Sequence, residues 1–197
     1  VDIPWNEYNE VKNSFFQGNS MAGVMLEHGT VYTNVHHNVI YGTRKYFGVG
    51  PGIRVQAASD NRIHHNIIYQ NEGNGVREKF TDLRSPPGHN WWHDNILTHN
   101  GGSSDGDFEF RIIRNANEKI VDHFYNNVFV ERPGLSVWAV DESPLGSGTS
   151  DLNLWHSWNL QGEPSDTLYS RSTPVLSDPT SADGWRPVIG DQYGPQN

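Results

Sequence analysis

The stretch Asn34-Val35-His36-His37-Asn38-Val39-Ile40-Tyr41 returns as Arg62-Ile63-His64-His65-Asn66-Ile67-Ile68-Tyr69, and again as Trp91-Trp92-His93-Asp94-Asn95-Ile96-Leu97-Thr98. The shared grammar is an apolar residue, two polar residues, an asparagine, any residue, and a second apolar residue. A later asparagine often follows, as at Asn71 and Asn100. Two weaker copies extend the series: Val11 to Phe16 puts Ser14 at the asparagine position, and Phe124 to Phe129 puts Asn127 there. A fainter sixth copy is read at His156 to Asn159.

The first apolar positions, Val11, Val35, Ile63, Trp92 and Phe124, are spaced by 24, 28, 29 and 32 residues. A second column runs through Phe16, Ile40, Ile68, Leu97 and Phe129. Each copy is followed by a third short segment: Gly23 to Leu26, Gly52 to Val55, Gly75 to Glu78, Asp107 to Phe110 and Gly134 to Val137. Constant short segments with variable connections are how a solenoid tolerates insertions. The segments alternate with period 2, which excludes helical repeats of similar length. Leucine is too scarce for a leucine-rich repeat, and a propeller blade needs about 40 residues or more. What remains is an all-β chain wound as a right-handed parallel β-helix, with about three strands per rung and rungs stacked at roughly 4.8 Å. Asn38, Asn66, Asn95 and Asn127 then form a ladder whose amides donate and accept along the axis.

Composition agrees. Of 197 residues, 20 are glycine and 20 asparagine, residues of turns rather than helices. Seven tryptophans and 12% aromatic residues argue for a packed core. No apolar run is long enough for a membrane-spanning helix, so no membrane partner is expected. The net charge of −9 leaves no basic footprint for nucleic acid. Cysteine is absent, which removes disulfides and thiolate metal sites. Residues 1–140 read as the rungs. Residues 141–197 read as a last irregular rung and a C-terminal wrap of the same domain, giving about five to seven rungs in all. No amphipathic cap helix precedes Val11, so an N-terminal partner segment or a second copy of the chain is expected to cover the first rung.

The segments Asn34–Tyr41, Asn61–Tyr69 and Asn90–Asn100, each followed by a third strand, resemble the right-handed β-helix superfamily of pectate-lyase-like proteins. That group includes polysaccharide lyases, glycoside hydrolases, epimerases and viral tailspikes. The resemblance implies a secreted, carbohydrate-active protein. It covers roughly residues 8–140 and carries the fold rather than an activity.

Side chains alternate in and out along a strand. In the third strand, Val24, Ile53, Val76, Phe108 and Leu135 are expected inward. Met25, Arg54, Arg77, Glu109 and Ser136 are expected outward, followed by Glu27, Gln56, Lys79, Arg111 and Trp138. This face collects four of the 14 basic residues. It reads as a groove for an acidic polysaccharide: Arg54, Arg111 and Gln56 bind substrate, and Trp138 offers a flat face to a sugar ring. For a lyase, Lys79 is the expected base, with Arg77 and Glu109 beside it in the catalytic set, and similar enzymes work with or without calcium. Glu27, or else Glu109, is the expected ligand if calcium is used. The same residues also read as a solvated, salt-bridged face. Two other readings stay open: a glycoside hydrolase using Asp105, Asp107, Glu109 or Glu78, and a non-catalytic solenoid that binds glycan or assembles into larger particles. His36, His64 and His93 stack at one position, and His37, His65 and Asp94 at the next. Imidazole and carboxylate suit a metal, but rings at rung spacing are expected to lie parallel rather than converge.

Overall fold

The computed structural model describes residues 6–80, 89–102, 108–114, 122–130, 136–141, 149–151, 154–158, 164–165 and 192–193. Among these there is no helix, and most strands fall into three stacked parallel sheets; Asn6–Glu7 and Thr30–Val31 form a separate parallel pair, and Pro164–Ser165 adds antiparallel to Leu154–Trp158. The first sheet has six strands: Glu10–Lys12, Asn34–His36, Arg62–His64, Trp91–His93, His123–Tyr125 and Thr149–Asp151. The second begins Phe15–Gln17, Val39–Tyr41, Ile67–Tyr69, Ile96–Thr98, Val128–Val130 and Leu154–Trp158. The third has five: Val24–Glu27, Ile53–Gln56, Val76–Phe80, Phe108–Arg114 and Ser136–Asp141. Each rung visits the sheets in that order, which is the right-handed parallel β-helix the repeat requires.

The apolar columns meet in register. Val35 pairs with Ile63, Ile63 with Trp92 and Trp92 with Phe124. Ile40, Ile68, Leu97 and Phe129 do the same in the second sheet. All eight are buried and, with Ile53, Val55, Val76, Phe110 and Ile112, form one continuous core.

Each corner needs a residue in the left-handed region, and the chain supplies mostly non-glycine residues: Tyr32 and Asp60; Asn13, His37, His65, Asp94 and Asn126; Gln70 and His99. Asparagine, aspartate and histidine tolerate this conformation better than most. The bend breaks the strand ladder, and the next residue restores it. Asn38, Asn66 and Asn95 each donate their backbone N–H to the side-chain oxygen of the asparagine one rung on, at 3.1 Å in every case. Their side-chain amides donate to the same oxygen and to a carbonyl of the rung before. Two further ladders stand at the other corners, Thr33–Asn61–Asn90 and Thr43–Asn71–Asn100. All three run the same way, with donors pointing toward later rungs. Two of them end on buried carboxylates: Asn90 donates to Asp122 and Glu78, and Asn100 donates through both nitrogens to Glu109. Acceptor-only groups suit the donor end of a ladder.

The repeat continues past residue 140. Thr149–Asp151 pairs with His123–Tyr125, and Leu154–His156 with Val128–Val130. The faint copy at His156 is therefore misplaced by six positions, since Ser150, not His156, is level with Phe124, and Trp155 is level with Phe129. Most of the expected C-terminal wrap lies outside the described residues.

Candidate functional site on the outer face of the third sheet

Strand alternation leaves one outward column of Met25, Arg54, Arg77 and Arg111, because Met25 pairs with Arg54, Arg54 with Arg77 and Arg77 with Arg111. A second column beside it holds Glu27, Gln56, Lys79 and Ile113. Three arginines thus occupy the same position on consecutive rungs, about 4.8 Å apart along the axis. All three are half-buried, as are Gln56 and Lys79. Arg54 Nε lies 3.5 Å from Glu27 Oε1, and its guanidinium also donates to Gln56 Oε1.

Two expected members of this face belong elsewhere. Glu109 is fully buried. In the three preceding rungs its place is held by glycine: Gly23, Gly52 and Gly75. A Cβ on Gly52 would stand 2.5 Å from Ile68 Cγ2 and 2.8 Å from Asn71 Nδ2, so glycine is what lets the asparagine ladder pass. No asparagine follows Asn100 in that ladder among the described residues, and Glu109 turns inward to receive its two donors. The register of the strand against its neighbour is therefore shifted by two residues from the pattern the sequence implied. Phe110, not Phe108, is level with Val76, and Arg111 moves into line with Arg77. Trp138 is level with Phe110, a core position, and Ala139 with Arg111, so Trp138 does not continue the outward columns. Leu135 lies outside the described residues.

Glu78 is buried as well, on the inward phase, where it accepts from Asn90 at 2.7 Å. With Glu78 and Glu109 both inside, neither is available to an exposed carboxyl pair, and Asp105 and Asp107 lie outside the described residues. Glu27 offers one carboxylate beside Arg54. Calcium takes 6–8 oxygen ligands, and the described residues contain no cluster of acidic groups at Glu27 that would supply them. These residues do not fit a calcium site.

A second polar surface lies at the corner between the first and second sheets. The rings of His36, His64 and His93 stack 4.9 and 4.6 Å apart, and Tyr125 continues the column 4.7 Å from His93. Burial, then the neighbouring histidines His93 and His36, push His64 down to about 4. Burial, the largest single effect, raises Asp94, but the hydrogen bond and charge of His93, the charge of His65 and the hydrogen bond from Asn126 together outweigh it and leave the carboxyl below its ordinary value. Burial and Asp94 together raise the Tyr125 hydroxyl. A group the repeat did not single out sits nearby: His89 bridges Asp60 and His123, each at 3.1 Å, and burial with His89 lowers His123. Only an inter-rung count of residues flanking the strands could have found it.

The model of the right handed beta helix region matches residues 1–117. The chain belongs to the right-handed β-helix family. The search of curated proteins and that of solved structures each gave no match. The β-helix supplies a rigid, laddered surface, and its chemistry has to be read from the side chains it carries. No helix among the described residues is long and apolar enough to cross a membrane.

Proposed function

We propose that this β-helix is a secreted, carbohydrate-active protein that binds an acidic polysaccharide along Arg54, Arg77 and Arg111 and cleaves it by β-elimination. The observation that carries the reading is the in-register arginine column in a chain of net charge −9. A column of like charges concentrates positive potential along one face, and an anionic polymer with a regular charge spacing is complementary to it. Guanidinium forks match carboxylate or sulfate geometry, and a ladder of them fixes the direction of the polymer.

Elimination needs three things from the protein. A cation must neutralise the uronate carboxylate, which acidifies the α-proton and stabilises the developing enolate; Arg77, central in the column, has that role. A base must take the proton, and that role falls to Lys79, two residues along the same strand. The electron pair of the broken C–H bond then forms the new C=C bond. The glycosidic C–O bond breaks with it, and the leaving oxygen takes up a proton. Arg54 and Gln56 hold the adjoining sugar.

The test is turnover on alginate, pectate, chondroitin and neutral glycans. Rising ultraviolet absorbance on an acidic polymer is the expected result. New reducing ends without that absorbance would replace elimination by hydrolysis. A second reading, a glycan-binding solenoid without turnover, draws on the sequestration of Glu78 and Glu109 inside the barrel. It predicts retention on acidic polymers with neither product.

A further inference from the structure

The two histidine columns meet in a way that rung stacking alone does not produce. Within a column successive rings are parallel: His36 and His64 lie within 3°, His64 and His93 within 4°, and His37 and His65 within 5°. The second residue of each pair, however, is the corner residue, with φ of 55° at His37, 54° at His65 and 54° at Asp94. The left-handed bend turns its side chain across the first column. The planes of His64 and His65 cross at 82°, and those of His65 and His93 at 86°. Parallel rings cannot point at one place, but two perpendicular columns can.

The polar atoms do converge. His64 Nδ1 is 2.8 Å from His65 Nδ1. Asp94 Oδ2 is 2.8 Å from His93 Nδ1 and 3.9 Å from His65 Nε2. One ligating atom from each of His64, His65 and His93 lies within 4.8 Å of the others. The tautomer of His64 is set from behind: its Nε2 lies 2.8 Å from Asn34 Oδ1, which can only accept, so Nε2 carries the hydrogen and Nδ1 presents its lone pair to the cluster.

We propose that His64, His65 and His93 bind one divalent transition-metal ion of the zinc, copper or nickel class, with Asp94 lying beside the cluster. In the metal-free protein, two Nδ1 atoms 2.8 Å apart share one proton between two lone pairs. A cation replacing that proton makes both lone pairs bonding. Imidazole nitrogens suit these metals, whereas calcium and magnesium seek oxygen shells. Tetrahedral ligands at about 2.0–2.1 Å from zinc stand roughly 3.4 Å from one another, so the close pair opens slightly while the other donors draw in. His65 is exposed and free to make that adjustment. His36 and His37 form a similar close pair one rung earlier, but there the next donors are histidines already committed to the central set.

The full chain, stripped with chelator, is dialysed against Zn2+ and, separately, Ni2+. One ion retained per chain is expected. His65→Asn keeps a residue suited to the left-handed corner and should weaken retention tenfold or more. His93→Gln should do the same, with unchanged circular dichroism in both. His99→Asn removes another exposed left-handed histidine outside the cluster and should change nothing. Co2+ should give visible d–d absorption that His65→Asn abolishes. No retention of either ion by the unmodified chain overturns the proposal. So does retention that His65→Asn and His93→Gln leave unchanged, since the ion would then sit elsewhere.

Discussion

Asn66→Ala probes the architecture at its middle rung. The Asn66 side chain is fully buried and makes four hydrogen bonds. Its oxygen accepts from the Asn38 backbone N–H at 3.1 Å and from Asn38 Nδ2 at 3.0 Å. Its nitrogen donates to the Val35 carbonyl at 2.9 Å and to Asn95 Oδ1 at 3.0 Å. Alanine strands the Asn38 N–H, a buried orphan donor that costs about 1–3 kcal/mol, and interrupts three bonds worth about 0.5–1.5 kcal/mol each. Asn38 Nδ2 keeps its bond to Val11, and Asn95 Oδ1 keeps the bond from the Asn66 backbone, so part of the loss is recovered. The expected net destabilisation is about 2–4 kcal/mol. Asn38→Ala supplies the internal comparison. It strands the N–H of Ser14 on the first rung, where the donor is only part-buried and water can replace the lost acceptor, so the expected cost is smaller. Urea denaturation followed by circular dichroism reads both, as a shift of midpoint at unchanged m. A loss below about 0.5 kcal/mol for Asn66→Ala, the scatter of surface substitutions, would refute the ladder argument. An Asn38→Ala loss equal to or greater than that of Asn66→Ala would refute it too.

Gly75→Ala should destabilise by about 1–3 kcal/mol, the cost of overpacking, because its Cβ would stand 2.5 Å from the Glu109 carbonyl and 2.7 Å from Asn100 Nδ2; thermal melting checks this. Glu109→Ala should lower the melting temperature, since two Asn100 donors lose their acceptor, with an expected cost of about 2–4 kcal/mol. Lys79→Ala should abolish turnover on the acidic polymer while shifting stability by no more than about 0.5 kcal/mol. Arg54→Ala should instead raise KM with kcat little changed, because a clamp acts in ground and transition state alike.

The sequence made the rungs legible wherever the repeated unit was complete. Val35, Ile63 and Trp92 share one column because each begins a copy with the same internal spacing, and spacing within a strand is what register preserves. The third sheet was harder to read. Its strand start was inferred from a leading glycine, yet the glycine is needed only while an asparagine ladder passes beside it. Where the ladder ends, Glu109 takes the place of glycine and the pattern loses its marker. A two-residue shift keeps the alternation of faces, so Arg111 stayed outward but changed column, while the Trp138 position moved to the level of the core. Glu109 moved by the same two residues, from the level of Arg77 to that of Gly75 at the corner, where a side chain meets the asparagine ladder instead of following strand alternation, and so an anticipated surface acid became a buried ladder cap. The histidine columns were visible in the repeat. Their convergence was not, because it arises from the left-handed backbone of His65 and Asp94, and periodicity carries no dihedral angles.

The most direct test of the acidic-glycan account is binding, measured calorimetrically, of polygalacturonate and of the same polymer fully methyl-esterified. The account predicts affinity for the charged polymer that falls as salt rises, and none for the neutral one. The combined variant Arg54→Gln, Arg77→Gln and Arg111→Gln should lose that affinity with its melting temperature nearly unchanged. Equal binding of the two polymers, or undiminished binding by the triple variant, would contradict the assignment of this face.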